Sequence, residues 1–476
     1  MMKIPFHIII IFFGVTILQL PAQTPGFYQI SRLPFTSDQY DEFAPVFYDK
    51  GLVYTTNQRV GFLISRMSAE GENLFNIYYS DQKEPGKWKN PAIFSKSLRS
   101  NYHDGPVSFS TDGSLIFFTR NIPGGRNETS TLGIFMAEYS GGEWINIRPF
   151  PYNNDKYNLS HPSISEDGKT LYFTSDMPGG FGGMDLYVSQ KQGLSWSSPV
   201  NLGAVINSSN DEVFPYIHST GRLYYSSDNN NNGSLDIFYS NPDEHGWQQP
   251  VRLPPPINSE ADDFGFIASP DLRSGYFSSG REGSDNIYSF GSTFPVFADC
   301  DSIQIDGLCF EFYEQRAENL DTTNFHLEWN MGDGTRIRGM VADHCFEEHG
   351  TYHVTLDFVN IATGEIESGV ADYLFTTPRT EQPFITSADT VSVGTMVTFD
   401  ASETFLRNFD PGGYYWETGD GAQYEGNKIN HYYSETGLYR VTLGVLSDPA
   451  SRQGQRKACV YKYVFVGGEK IPRSSH

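Results

Sequence analysis

The sequence predicts an all-β chain, a five-bladed β-propeller followed by two Ig-like β-sandwiches. Three observations carry this. Aromatics are 15% of 476 residues, with 29 Tyr and 36 Phe beside 46 Gly, a mixture that favours strands and tight turns over helices. One motif recurs five times before residue 291 at a spacing near 50. A different motif occurs twice in the remainder.

The N-terminus, MMKIPFHIIIIFFGVTILQLPAQ, sets Lys3 before the apolar run Ile8–Leu20 and small Ala22 after it. This is the pattern of a secretory signal peptide, residues 1–22, cut after Ala22 or Gln23; the alternative is an uncleaved anchor. With no cysteine at the cut, a lipid anchor is not expected. No later apolar run is long enough to span a bilayer. Lys plus Arg number 33 against 57 Asp plus Glu, a net charge of −24. Such a surface repels nucleic acid and anionic headgroups and suits an exported protein that meets cations or basic partners.

The repeat begins at Asp41 (DEFAPVFYDKGLVYTT) and returns at His103 (HDGPVSFSTDGSLIFFT), Ser160 (SHPSISEDGKTLYFTSD), Asp211 (DEVFPYIHSTGRLYYSSD) and Asp262 (DDFGFIASPDLRSGYFSSG). Pro45, Pro106, Pro162 and Pro215 share one position, filled by Phe266 in the last copy; the intervals are 61, 56, 53 and 51 residues. Each copy reaches a second aromatic strand (NIYYS, GIFMA, DLYVS, DIFYS, NIYSF), and four continue to a tryptophan strand at Trp88, Trp144, Trp196 and Trp247. Four strands per repeat at this period describe propeller blades, whose two apolar faces are buried only by stacking around an axis. The fifth copy lacks its tryptophan strand. Phe27–Leu33 precedes the first copy as Trp196–Leu202 precedes the fourth, so the N-terminal strand is expected to complete the last blade and leave few open edges. A sixth, degenerate blade is the alternative.

The acidic pair, the proline, Ser-x-Asp-Gly, Leu-Tyr-Phe-Ser-Ser-Asp and Asp-Ile-Tyr together resemble WD40-like propeller repeats of the TolB type. The resemblance covers about residues 27–290 and implies the fold rather than a function. The glycine-rich loop SDMPGGFGGMD, between Asp176 and Asp185, joins two strands of the third copy. It lacks the Gly-Lys-Ser/Thr and helix of a phosphate loop, and the fifth copy has Gly280 in place of Asp176. It reads as a turn, with a metal site shared by Asp176 and Asp185 as the alternative.

Beyond Phe294 the pattern changes. Leu327-Glu-Trp329-Asn-Met-Gly332-Asp333-Gly334, His344-Cys-Phe346 and Gly350-Thr-Tyr352-His-Val354-Thr-Leu356 recur as Tyr415-Trp416-Glu-Thr-Gly419-Asp420-Gly421, His431-Tyr-Tyr433 and Gly437-Leu-Tyr439-Arg-Val441-Thr-Leu443. Short alternating strands joined by Gly-Asp-Gly turns argue two sandwiches with Trp329 and Trp416 in their cores. These motifs look like the PKD (polycystic kidney disease) domain, with Met331 and Thr418 where that family prefers Phe. The expected division is a propeller over 23–293, sandwiches over 294–377 and 378–468, and a tail over 469–476. The four cysteines, Cys300, Cys309, Cys345 and Cys459, fall in this half. Export permits disulfides. One bridge is expected among the first three, with Cys309–Cys345 a candidate, but spacing does not fix connectivity and is wrong for zinc.

The candidate site is the set of acids at the blade entrances, Asp41, Glu42, Asp104, Asp211, Glu212, Asp262 and Asp263. In a propeller these stand near the axis on one face, where converging carboxylates would hold a cation or a basic partner segment and raise one another's pKa. The competing role for each is to cap its own turn. No HExxH, GxSxG or Ser/His/Asp constellation stands out, and the prominent acids are repeat members rather than the unique pair that glycoside hydrolysis would need. No catalytic residue, metal ligand or cofactor is therefore assigned. Tyr414 and Tyr432 are candidate glycan contacts, with neighbours Tyr415 and Tyr433 as alternates for the core. The combination of modules resembles envelope and surface proteins of Bacteroidota. That resemblance implies a non-enzymatic scaffold in the periplasm, at the outer membrane or on the cell surface, in a secretion or surface assembly, with envelope proteins or surface polysaccharide as partners. A glycan-binding surface protein and a propeller glycosidase are the alternatives.

Overall fold

A computed structural model of the chain describes residues 26–59, 73–122, 131–229, 233–243, 246–297, 300–314, 323–450 and 454–468. The expected signal peptide and tail lie outside the described residues. Every named element is a strand, and the chain divides into two compact units, Met1–Phe294 and Pro295–His476.

In the first unit, five antiparallel sheets of four or five strands follow one another among the described residues. Their innermost strands are Glu42–Tyr48, Asp104–Phe109, Leu159–Ile164, Glu212–Ile217 and Asp263–Ala268. Each is bulged against the second strand of its sheet, the register slipping after Phe43, Asp104, Ser160, Val213 and Phe264. At each slip one residue takes a positive φ: Ala44, Gly105, His161, Phe214 or Gly265. In four of the five the repeat proline follows directly, and in the fifth Phe266, at a point of the strand where no ladder N–H is required.

The outermost strands obey proline as well. Glu143–Pro149 is continuous, whereas in the first and third sheets the corresponding strand breaks into Lys87–Trp88 and Ala92–Ile93, and into Ser195–Trp196 and Val200–Asn201. Pro91 and Pro199 stand in the gaps, where a ladder donor would be lost. In the fourth sheet Val251–Arg252 alone is the outer strand, and Trp247 sits in a separate two-stranded ribbon. The outer strand of the fifth sheet is Tyr28–Arg32, paired antiparallel with Asn286–Ser292 from Tyr28 opposite Ser292 to Arg32 opposite Tyr288.

Because both faces of each sheet are apolar, each sheet packs on the next. Val53 and Ile77 meet Val107 and Phe118; Phe117 and Phe150 meet Leu171 and Phe173; Leu186 meets Leu223 and Tyr225. Tyr224 and Ile237 meet Phe266 and Phe277, and Ile267 and Ile287 of the fifth sheet meet Leu52 and Tyr54 of the first. The succession thus returns to its start, a propeller-like arrangement.

The second unit holds two sandwiches. In one, the sheet formed by Arg336–Arg338, Phe325–Asn330, Thr351–Asn360 and Ile366–Thr376 faces the pair Cys309–Tyr313 and Val341–Cys345, over Trp329, Met331, Val354 and Leu356. In the other, the pair Met396–Asp400 and Lys428–Tyr432 faces a six-stranded sheet that includes Pro411–Glu417, Gly437–Ser447 and Lys457–Gly467, over Phe399, Trp416, Val441 and Leu443. Gly332 and Gly419 have positive φ, and a Cβ at Gly332 would lie 2.6 Å from the His353 carbonyl oxygen, so the Gly-Asp-Gly turns need glycine for conformation and for space.

Two expectations are corrected here. The strand Asp301–Ser302, placed by sequence in the first sandwich, pairs in parallel with Lys457–Gly467 of the second. Two disulfides are present rather than one: Cys309–Cys345 joins facing residues of a strand pair, and Cys300–Cys459 spans 159 residues. The second was hidden because the parallel pairing that brings its halves together is long-range.

Candidate functional site

Burial divides the entrance acids. Glu42, Asp104, Glu212 and Asp263 are 0–1% exposed, Asp41 and Asp211 are half-buried and Asp262 is exposed. Each buried carboxylate turns back onto the loop before its strand, accepting the backbone N–H of Ser37, Ser100, Ser208 or Ser259 at 2.5–3.0 Å. Asp104 also receives Arg120 at 2.6 Å and Asp263 receives Arg281 at 2.7 Å. Burial raises the pKa of all four against these bonds, Glu42 to about 7.

The residue before each buried acid ties its sheet to the preceding one. Asp211 Oδ1 accepts Met184 N at 2.7 Å, Asp262 Oδ1 accepts Leu235 N at 2.7 Å, and Asp41 Oδ1 accepts Asp285 N at 3.4 Å. His103 Nδ1 and Asn158 Oδ1 do the same for Phe75 N and Leu132 N, at 3.1 and 2.9 Å. In four of these five junctions the next amide returns the bond: Glu42 N, Asp104 N, Glu212 N and Asp263 N donate to the carbonyls of Asp285, Phe75, Met184 and Leu235 at 2.6–3.0 Å. The expected open acid rim is therefore corrected to a ring of inter-sheet clasps with its second members buried. A pattern search for acids overlooks His103 and Asn158 because any side-chain acceptor serves. Repulsion among converging acids does appear at Asp285, pushed up to about 6 by burial and then by Asp41 and Asp262.

The glycine-rich loop is closed by its own acids. Buried Asp185 accepts Phe181 N, Gly182 N and Asn201 Nδ2 at 2.6–3.2 Å, and Asp176 accepts Asn158 N and Nδ2 at 2.6 and 2.8 Å. Among the described residues, no three His, Cys, Asp or Glu side chains are grouped to hold a metal.

Inside the ring of inner strands lies a cavity of about 460 Å³ lined by residues of all five. At the acid end the rings of Phe43, Phe75, Phe214 and Phe264 crowd together with centroids 4.8–6.3 Å apart. The other end reaches the turns that carry Thr111, Glu166, Ser219 and Pro270.

The two tyrosines named as glycan contacts are not brought together. Tyr414 packs against the core of the second sandwich, in its six-stranded sheet, which corrects its expected exposure. Tyr432 lies in the opposite sheet, 58% exposed and paired with exposed Met396. An aromatic row missed by the sequence reading runs along Lys457–Gly467, where Tyr463 and Phe465 are exposed and Leu438 stands opposite Phe465. The alternation of Tyr463 and Phe465 with Val464 and Val466 at the end of that strand was the available signal.

The PKD domain family model matches residues 295–372 and 380–460. The chain is thus an all-β protein with a propeller-like first unit and PKD domains in its second. Similar solved structures include a thermostable family-43 glycoside hydrolase, at 12% identity and TM-score 0.37, over 56% of this chain and 98% of that one. An exo-β-1,3-galactanase from Clostridium thermocellum matches at 12% and 0.33, over 87% and 95%. A Mycobacterium tuberculosis puromycin-hydrolyzing peptidase matches at 13% and 0.30, over 78% of this chain and 52% of that one, so the chain spans about half the peptidase's length. No helix among the described residues is long and apolar enough to cross a membrane.

Proposed function

We propose that this chain is an exported, non-enzymatic scaffold of the cell envelope, a five-bladed propeller joined to two PKD-type sandwiches that hold a protein partner. The carrying observation is the PKD match over both sandwiches, since PKD domains usually occur in extracellular proteins. The use of the entrance acids supports a non-catalytic first unit: carboxylates spent on backbone amides are not available as a general acid and base. The test immobilises the purified mature protein and passes solubilised envelope fractions over it with crosslinking. Reproducible retention of a defined envelope protein is expected; retention of none overturns the reading.

Exposed Tyr432, Tyr463 and Phe465 favour a second reading, attachment to surface polysaccharide through aromatic stacking. A glycan array probed with the Tyr432→Ala and Tyr463→Ala variants separates the two. Turnover of any polysaccharide on the same array would overturn the non-enzymatic assignment.

A further inference from the structure

The axial cavity has the size of a small-molecule site. Its walls are mostly apolar, with Val46, Phe109, Ile164, Ile217 and Phe266 contributed by different strands. Nearly every polar group on them is occupied. Ser108 Oγ accepts Ile164 N and Ser163 Oγ accepts Ile217 N, both at 3.0 Å. Tyr216 Oη donates to the Ala268 carbonyl at 3.1 Å, and His218 bridges Thr220 and the Ser269 carbonyl.

His161 is the exception. Its ring stacks on Phe214, centroids 3.8 Å apart and planes 11° from parallel. Its Nδ1 accepts Phe214 N at 3.4 Å, so the neutral ring carries its proton on Nε2. Burial lowers the pKa to about 3, which keeps the ring neutral at ordinary pH. Nε2 has no hydrogen-bond partner among the described residues. The only charged side chain among the lining residues is Glu166, exposed at the turn end. The site thus offers one deep donor, an apolar body and a negative mouth. Such an arrangement disfavours anions and leaves an accessible donor on the cavity wall that a ligand oxygen can meet.

We propose that this cavity binds an uncharged, largely apolar small molecule, entering from the turn end, whose leading carbonyl or hydroxyl oxygen accepts the Nε2–H of His161. The proposal is independent of the scaffold reading and does not use the entrance acids.

The test titrates the full mature chain with Nile red, an uncharged ring system with a carbonyl oxygen whose emission rises on leaving water. Saturable binding at one dye per chain is expected. His161→Phe keeps a stacking ring but removes the donor, and is expected to weaken binding roughly 3- to 10-fold. Thr111→Trp, on an exposed turn, blocks the mouth without entering the core and is expected to abolish binding even if His161→Phe folds poorly. The control pair Leu438→Ser and Phe465→Ser removes two of the three side chains of the exposed sandwich row and should leave binding unchanged. Anionic anilinonaphthalene sulfonate should not compete. The proposal is overturned by absence of saturable binding, by a signal that Thr111→Trp leaves intact, or by one that the sandwich pair removes. Equal affinity for the anionic dye would overturn the stated ligand class.

Discussion

His431 Nε2 donates to Asp420 Oδ2 at 2.8 Å while its Nδ1 accepts the Tyr424 hydroxyl at 2.9 Å. The imidazole thus spans the Gly-Asp-Gly turn and the facing sheet of the second sandwich. The first sandwich repeats the bond between His344 Nε2 and Asp333 Oδ2 at 2.7 Å. Both histidines are largely buried, so each turn is anchored from inside its module.

Asp420→Ala removes the bond to His431 together with those from Thr418 Oγ1 at 2.6 Å and Ala422 N at 3.3 Å. A loss of about 2–3 kcal/mol is expected in urea unfolding at pH 7. Burial by itself would raise the Asp420 pKa, but His431 holds it below the ordinary value. A depressed carboxylate stabilises the folded state above its unfolded pKa of ~3.9, and that contribution is lost as pH falls through the folded value. The difference between wild type and Asp420→Ala should therefore be constant above about pH 5 and shrink in acid. A difference unchanged down to pH 2 would contradict this.

Glu42 behaves in the opposite sense. Its pKa is raised from 4.5 to about 7 by burial, with Asp41 adding to the effect. A raised carboxylate is no burden below its unfolded pKa and destabilises the fold increasingly as pH rises toward the folded value. Glu42→Gln keeps an acceptor for Ser37 N and cannot ionise. It should match wild type near pH 4 and be more stable at pH 8 by roughly 2–3 kcal/mol, as measured by denaturant unfolding at both pH values. An equal effect at pH 4 and pH 8 would refute the ionisation account.

Deleting residues 26–33 removes the outer strand of the fifth sheet and strips Leu33 from the contact with Leu52 and Tyr54. The exposed edge of Asn286–Ser292 should then recruit other chains. Light scattering is expected to show association that the intact mature chain lacks. A monomeric deletion variant of unchanged stability would mean that the strand contributes nothing to closing the ring.

Strand order, the N-terminal strand and both tryptophan cores were legible because they rest on periodic apolar patterning, which sequence displays directly. The clasps were not. Asp41, His103, Asn158, Asp211 and Asp262 share an acceptor role but no residue type, and only the pairing of adjacent sheets reveals it. Burial of Glu42 and Asp263 was hidden by their acidic neighbours Asp41 and Asp262, although a serine four or five residues before each buried acid, whose amide the acid accepts, was the available signal. Tyr414 and Tyr432 were chosen from adjoining motifs, yet placement in opposite sheets separates them.

The bond between Cys300 and Cys459 joins the segment entering the second unit to the last strand that leaves it, beside the parallel pairing of Asp301 with Val460. A mechanical load applied between these two points would run through a covalent link and bypass both sandwiches. The intervening stretch would bear no tension, and its hydrogen-bonded sheets would be spared shear. Pulled between these two cysteines in an oxidising compartment, the stretch they enclose acts as a short inextensible tether rather than as a spring.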